Sequence, residues 1–280
     1  MRERIEAAIG QPIQQIRPLH GGMVAEVAEA QLEDGSLVVF KLDSTGTQRL
    51  DIEGHMLTYL KTHSQLPVPD VLYSSADLLI LSHITGRSQF TQVAERHAAE
   101  LLVLLHNQTQ ASYGLAFDTL IGKLHQPNTE YTQWISFFRD MRLLHMARVA
   151  YDAHEIDQST MVQIHQLASK LDDFLIEPSA PSLIHGDIWT TNVLADGDTI
   201  TGFVDPAIYY GHSEMELAYI AWTGTFSNVF FNHYHQLRPI EDGFFEIRMA
   251  IYNLYPTLVH VRHFGGPYES MAKQTLRRFL

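Results

Sequence analysis

No cysteine occurs in the 280 residues, which removes disulfides, thiolate nucleophiles and Cys-type zinc sites from consideration. Long apolar runs are missing too: none approaches a membrane span, and residues 1–9, mixed in charge, lack the apolar core of a signal peptide. There are no blocks of like charge, no low-complexity tracts and no internal repeats. Positive charge is scarce, with 19 Lys plus Arg against 32 Asp plus Glu and a net charge of −13. That balance disfavours nucleic acid or an anionic membrane as the main partner. These absences fit a cytoplasmic protein in a reducing compartment, with a monomer as the default state. A hydrophobic content of 45% over this length suffices for a full core and for two lobes.

Sixteen histidines are present. His233 with His235, and His260 with His263, invite a metal reading, but neither pair has a third ligand at clear spacing. Scattered surface and core roles account for them better.

The informative stretch is His185-Gly186-Asp187-Ile188-Trp189-Thr190-Thr191-Asn192, followed by Asp205-Pro206. Asn192 stands five residues after Asp187, and Asp205 thirteen after Asn192. This is the spacing of a kinase catalytic loop, in which one Asp faces the substrate hydroxyl while an Asn and a later Asp hold magnesium on ATP. A metal bridging phosphates wants hard oxygen ligands, which an amide carbonyl and a carboxylate supply. The Ala195-Asp196-Gly197-Asp198 turn, between two short apolar strands, predicts a hairpin that sets Asn192 beside Asp205. His-Gly-Asp alone is a weak signal, since glycine and aspartate are common in turns. The combination carries the weight.

Upstream, residues 13–42 read as three strands broken by His20-Gly21-Gly22-Met23 and Glu33-Asp34-Gly35-Ser36. Gly21 and Gly22 form a candidate phosphate-covering turn, because glycines let backbone N–H groups approach phosphate oxygens. Lys41 lies in an apolar strand, where it is either an edge residue reaching water or a buried cation with a partner. The partner on offer is Glu53, bordering the apolar face that Ile52, Met56, Leu57 and Leu60 mark on a helix over 47–62. Pro67 and Pro69 stop that helix, and strands are expected at 71–73 and 78–83. Ser82, His83 and Ile84 then fall where a hinge backbone could hydrogen-bond an adenine edge. Beyond them the chain turns helical, over 92–108, 131–151, 158–175, 214–222, 227–236, 242–263 and 268–280. Residues 112–127 read as a loop and 206–212 as turn-rich.

Lys41, Glu53, His185-Gly186-Asp187 with Asn192, and Asp205-Pro206 resemble the small-molecule kinases of the aminoglycoside phosphotransferase type. The finer match is to the fructosamine kinase, or ketosamine-3-kinase, family. Leu183 to Trp189, Asp205-Pro206-Ala207 with Tyr210-Gly211-His212 and Glu214, and Leu254-Tyr255 through His260 to His263-Phe264-Gly265-Gly266 carry it, over nearly the whole chain. The resemblance implies an α+β, two-lobed protein-kinase-like fold. Residues 1–83 would form a small antiparallel β lobe with one helix, and 84–280 a larger, mainly helical lobe. It further implies ATP and Mg²⁺ as cofactors and phosphorylation of a sugar hydroxyl on a small glycated amine, a deglycation role.

In this reading Asp187 orients the attacking hydroxyl, Asn192 and Asp205 hold magnesium, and Lys41 with Glu53 grips the phosphates. Trp189, Tyr209, Tyr210 and Phe264 could offer flat faces to a sugar or an amine cation, or could simply pack the helical lobe. Two departures stand out. Thr190-Thr191 replaces an expected serine and glycine, and Glu216 replaces an aspartate that would brace the catalytic loop. Competing readings are a kinase of another small hydroxyl compound (an aminoglycoside, choline, a methylthio sugar, an amino alcohol), a nucleotide-binding scaffold without turnover, and a histidine-rich metal module.

Overall fold

The computed structural model describes residues 1–19, 26–46 and 49–280; the candidate turn at Gly21 and Gly22 lies outside the described residues. Strands β1 (Ile13–Pro18), β2 (Glu26–Leu32), β3 (Leu37–Leu42), β4 (Val71–Ser74) and β5 (Leu78–Ser82) form one antiparallel sheet in the order β1-β2-β3-β5-β4. Their period-two alternation sorts side chains onto two faces. Val38, Phe40, Leu78 and Ile80 join Ile13, Ala28 and Ala30 in one apolar cluster, sealed by Ile5 of helix α1 (Arg2–Ile9). Leu79 and Leu81 point the other way, into a larger cluster with Met56, Leu57 and Leu60 of helix α2 (Leu50–His63). Periodicity gives no sign of α1, because Ile5 is its one buried residue.

The rest of the chain is mainly helical. Helix α3 (Gln92–His106) starts where Thr91 accepts a hydrogen bond from the Ala94 N–H, and it buries Ala94, Ala98, Leu102 and Leu105 along one stripe. The single helix expected over 131–151 is instead α4 (Trp134–Phe137), a π-helical stretch at Phe138–Leu144 and α5 (His145–Asp152) in continuous succession. Within the π stretch the fully buried Arg142 donates to Pro127 O and Asn128 Oδ1. Helix α6 is Gln158–Ala168 and ends earlier than the expected 175, giving way to a 3₁₀ turn at Leu171–Asp173.

The segment expected as a loop holds a small hairpin, β6 (Thr119–Ile121) with β7 (Leu124–Gln126). Strand β8 (Ser182–Ile184) leads into the catalytic-loop sequence, and β9 (Val193–Asp196) pairs with β10 (Thr199–Phe203) as the turn chemistry predicts. The segment read as turn-rich contains β11 (Tyr209–Gly211), which pairs with β8; that contact joins residues too distant in sequence for local pattern to reveal. Helices α7 (Ser213–Thr223) and α8 (Asn228–Leu237) follow, with α8 packed on α3. The helix expected over 242–263 is split into a π-helical Phe244–Arg248, α9 (Met249–Tyr252) and α10 (Leu254–Phe264), before α11 (Pro267–Phe279) closes the chain.

The linker out of the sheet is laced to the β9–β10 hairpin. Arg87 and Ala195 exchange backbone hydrogen bonds of 2.8 and 2.9 Å. Ser88 Oγ donates to Val193 O. Gly202 lies so close to Ile84 that a Cβ there would meet the isoleucine at 2.5 Å. Among the described residues no helix is long and apolar enough to cross a membrane.

Candidate active site

β8 delivers His185, whose carbonyl accepts from the Ala207 N–H at 2.8 Å. Gly186 then turns with φ +85°, and a Cβ on it would lie 2.2 Å from the Ala207 carbonyl oxygen, so only glycine fits. Its N–H donates to Glu216 Oε1 at 2.7 Å. The other oxygen, Glu216 Oε2, sits 2.9 Å from His106 Nε2, and His106 Nδ1 is 2.6 Å from the Tyr234 hydroxyl. With the carboxylate as acceptor, Nε2 carries the proton and Nδ1 accepts from the tyrosine. Burial lowers the His106 pKa while Glu216 opposes the fall. The longer Glu216 therefore still reaches the loop backbone.

Asp187 is fixed by its neighbours. Asn192 Nδ2 donates to the Asp187 carbonyl at 3.0 Å and to its Oδ2 at 3.1 Å. The Tyr219 hydroxyl also hydrogen-bonds the Asp187 carboxylate. Burial, reinforced by the nearby Asp205 charge, pushes the Asp187 pKa up to about 7. Tyr219 escaped the sequence reading. The signal that could have found it is its place three residues after Glu216, on the same helical face.

Asp205 sits beyond the β9–β10 hairpin, where Val204 N–H donates to Asn192 O at 3.0 Å. Its φ is +56°, a left-handed conformation uncommon for a residue other than glycine. Lys41, on the central strand between Val27 and Leu79, is a buried cation and not an edge residue. Its Nζ lies 2.7 Å from Glu53 Oε1 and 2.5 Å from Asp205 Oδ1. Burial would lower the lysine pKa, but the two carboxylates outweigh it and hold Lys41 above its ordinary range. Burial raises Glu53, with Asp205 adding to the rise and Lys41 resisting it.

The remaining candidates separate. Ser82 ends β5 and is occupied with Asp70, its N–H donating to Asp70 O and its Oγ accepting from Asp70 N–H. His83 is turned to Glu29, with Nε2 and Oε2 3.2 Å apart, and Ile84 packs against Gly202. Trp189 and Phe264 line a cavity of about 260 Å³ beside Asp187. Tyr209 and Tyr210 are instead buried in β11, Tyr209 beneath the Arg142 guanidinium at 3.8 Å and Tyr210 against the Tyr59 hydroxyl. The cavity is walled by α7, α10 and α11, with Ile121 and Gly122 of the small hairpin at its side.

Among the described residues no group of three or more His, Cys, Asp or Glu side chains is placed to hold a metal ion. His233 contacts Glu100, His235 Nδ1 accepts from Ile240 N–H, and His260 contacts Pro256 O. The kinase pattern asks for less: an amide oxygen and a carboxylate oxygen, with phosphates supplying further ligands. Asn192 spends its NH₂ on Asp187, which leaves its carbonyl oxygen available, and Asp205 spends Oδ1 on Lys41. The donor set fits a hard divalent cation.

A family model described as fructosamine kinase matches residues 1–280. A chloroplastic protein-ribulosamine 3-kinase from Arabidopsis thaliana is 29% identical over 283 residues, 96% of this chain and 83% of that protein. A candidate ketoamine kinase from Lactiplantibacillus plantarum is 31% identical over 176 residues, and the match spans 62% of each chain, under two thirds of that relative. Among solved structures, a candidate fructosamine-3-kinase from Thermobifida fusca YX-ER1 superposes with a TM-score of 0.88 at 26% identity, over 99% of this chain and 97% of the other. Macrolide and aminoglycoside phosphotransferases match at 17% and 16% identity, a likeness that shows the protein-kinase-like fold alone.

Proposed function

The chain belongs to the fructosamine kinase family, and from that premise we propose that it transfers the γ-phosphoryl group of ATP to a sugar hydroxyl of ketosamines. These are fructosamine or ribulosamine adducts of small amines, and the role is deglycation. One observation supports this above the others: Lys41 is clamped between Glu53 and Asp205, and Asp187, held by Asn192, lines a cavity of about 260 Å³. Residues 1–83 act as the nucleotide lobe and 84–280 as the catalytic and acceptor lobe.

In the reaction the acceptor hydroxyl meets Asp187, which takes its proton as the oxygen attacks the γ-phosphorus in line; the bond from that phosphorus to the β,γ-bridging oxygen breaks and ADP leaves. A carboxyl held near neutrality by burial is suited to that exchange. Lys41 grips the α and β phosphates, and Glu53 aims it. Asn192 and Asp205 would hold Mg²⁺, which when bound would neutralise phosphate charge. Ser82, His83 and Ile84 carry the chain past the adenine. Most of the acceleration comes from alignment and charge stabilisation, because phosphoryl transfer leaves a protein little covalent work. The lack of cysteine fits a cytoplasmic location, with a monomer as the default state.

The test is ATP consumption with magnesium across fructosamine and ribulosamine derivatives, amino sugars, aminoglycosides and choline, alongside Asp187→Asn. Selective turnover of the ketosamines, lost in the variant, is the expected result. Selective turnover of another acceptor class would overturn the substrate assignment, and Mg-ATP binding with no turnover of any acceptor would point to a scaffold.

A further inference from the structure

The wall of the cavity beside Asp187 offers contact, with little charge. Met215, Tyr255, Pro256 and Val259 give it an apolar floor. His260 stands in an aromatic group, its ring centroid 5.0 Å from Trp222, 5.5 Å from Phe264 and 4.9 Å from Tyr268. Burial lowers the pKa of that imidazole and keeps it neutral; its Nδ1 donates to Pro256 O at 2.7 Å, so Nε2 remains an acceptor.

The wall's carboxylates are Asp187 and Glu216, and both Glu216 oxygens are engaged by Gly186 and His106. Among the described residues no lysine or arginine lines the cavity. Lys123 and Arg262 stand behind His263, a lining residue whose pKa they help to lower, and Arg262 faces Glu155 at 4.0 Å.

A ketosamine that presents its sugar hydroxyl to Asp187 must lay its amine substituent along this wall. A carboxylate there would meet no lysine or arginine on the wall, would face Asp187, and would lose water without compensation. An alkyl or aryl group would bury its surface on the aromatics, and the protonated amine could rest over a ring face. The volume of about 260 Å³ lies at the small end of ligand sites and suits a compact substituent. We propose that, within the ketosamine reading on which this inference rests, the acceptor site selects adducts whose amine substituent is apolar or aromatic and carries no carboxylate. Glycated alkylamines and arylamines are preferred over glycated free amino acids.

Three fructosyl acceptors test this with the full-length protein: the adducts of benzylamine, of phenylalanine, and of phenylalanine amide, which keeps the bulk without the carboxylate charge. Phosphorylation of the benzylamine and amide adducts should exceed that of the phenylalanine adduct by about tenfold or more in kcat/KM. Thr223→Lys places a cation on the wall at the C-terminal end of α7, where the helix dipole favours it, and should narrow that ratio.

Equal or better use of the phenylalanine adduct by the parent protein overturns the proposal, even if the variant does not fold. An unchanged ratio in a Thr223→Lys protein that melts at the parental temperature also overturns it. So does a preference for the carboxylate that vanishes in Lys123→Ala, because recognition would then sit at the mouth. Failure of the ketosamine reading looks different: none of the three adducts is turned over while an aminoglycoside or choline is.

Discussion

The proposed nucleotide side of the site is held by opposed charges from distant parts of the chain, with Lys41 between Glu53 and Asp205 at 2.7 and 2.5 Å. The proposed acceptor side is a wall of apolar and aromatic side chains from α7, α10 and α11 around two histidines, His260 and His263, whose pKa values burial lowers. The difference follows from what each side must bind. Phosphates and their metal demand point charges at set positions, and a buried ion pair that loses one partner leaves an expensive orphan. An organic substituent demands only surface of suitable shape, where one lost contact costs little. Damage on the first side should therefore appear in turnover and ATP use, and damage on the second in acceptor KM.

The largest effect should come from the residue where the two sides meet. Asp187→Asn is expected to lower kcat by on the order of 10²–10⁴, with ATP affinity by calorimetry retained; if ATP binding fell as far as turnover, the division between the sides would be wrong. Next, Lys41→Met should reduce kcat/KM for ATP by on the order of 10²–10³ while the acceptor KM stays near its parental value. Asp205→Ala should weaken Mg-ATP binding in the same titration.

Gly186→Ala would break both sides together. Its Cβ would be driven into the Ala207 carbonyl at a φ of +85°, so a loss on the order of 2–4 kcal/mol in urea unfolding is expected.

A smaller effect belongs to acid. His212 caps α7, accepting from the Glu214 N–H, and burial, with Arg248, Arg238 and His106 nearby, depresses its pKa from 6.5 to about 3. Below pH 6.5 the unfolded chain binds a proton there that the folded chain refuses, so this contribution to stability is intact above that pH and is lost progressively towards about 3. The elevated Asp187 pulls the other way, so the parent curve alone does not isolate the histidine. His212→Asn keeps a capping acceptor, and the difference between the two unfolding curves should shrink as pH falls from 6.5. A constant difference would count against a neutral buried His212. Smallest of all, Phe264→Ala should raise the acceptor KM by roughly three- to tenfold and leave the KM for ATP alone.

The charged side was also the more legible in the sequence. Lys41 is a cation in an apolar strand, and Asp187, Asn192 and Asp205 stand at informative offsets, so polarity out of place announced them. The β9–β10 hairpin followed from its turn residues. What stayed hidden rests on long-range contact. Glu216 meets His106 across 110 residues, β8 finds β11 after an intervening hairpin, and Tyr219 looks like any apolar helical position until Asp187 is beside it. The acceptor wall showed only as helical periodicity, because an aromatic that lines a cavity and one that fills a core obey the same spacing. Trp189 and Phe264 fell on the first side of that ambiguity, and Tyr209 and Tyr210 on the second.

The stitching of residues 84–88 onto the β9–β10 hairpin has a mechanical meaning. Arg87 is bonded to Ala195 on both its N–H and its carbonyl, so the chain leaves the sheet already pinned to the hairpin. Asn192 and Asp205 flank that same hairpin, so the segment that joins the sheet to the helices is tied to the element that carries both of them. The lacing is close enough that a Cβ added at Gly86 would lie 2.7 Å from Thr201 Oγ1 and 3.0 Å from the Ala195 carbonyl oxygen, so a side chain at that position would prise the segment off the hairpin.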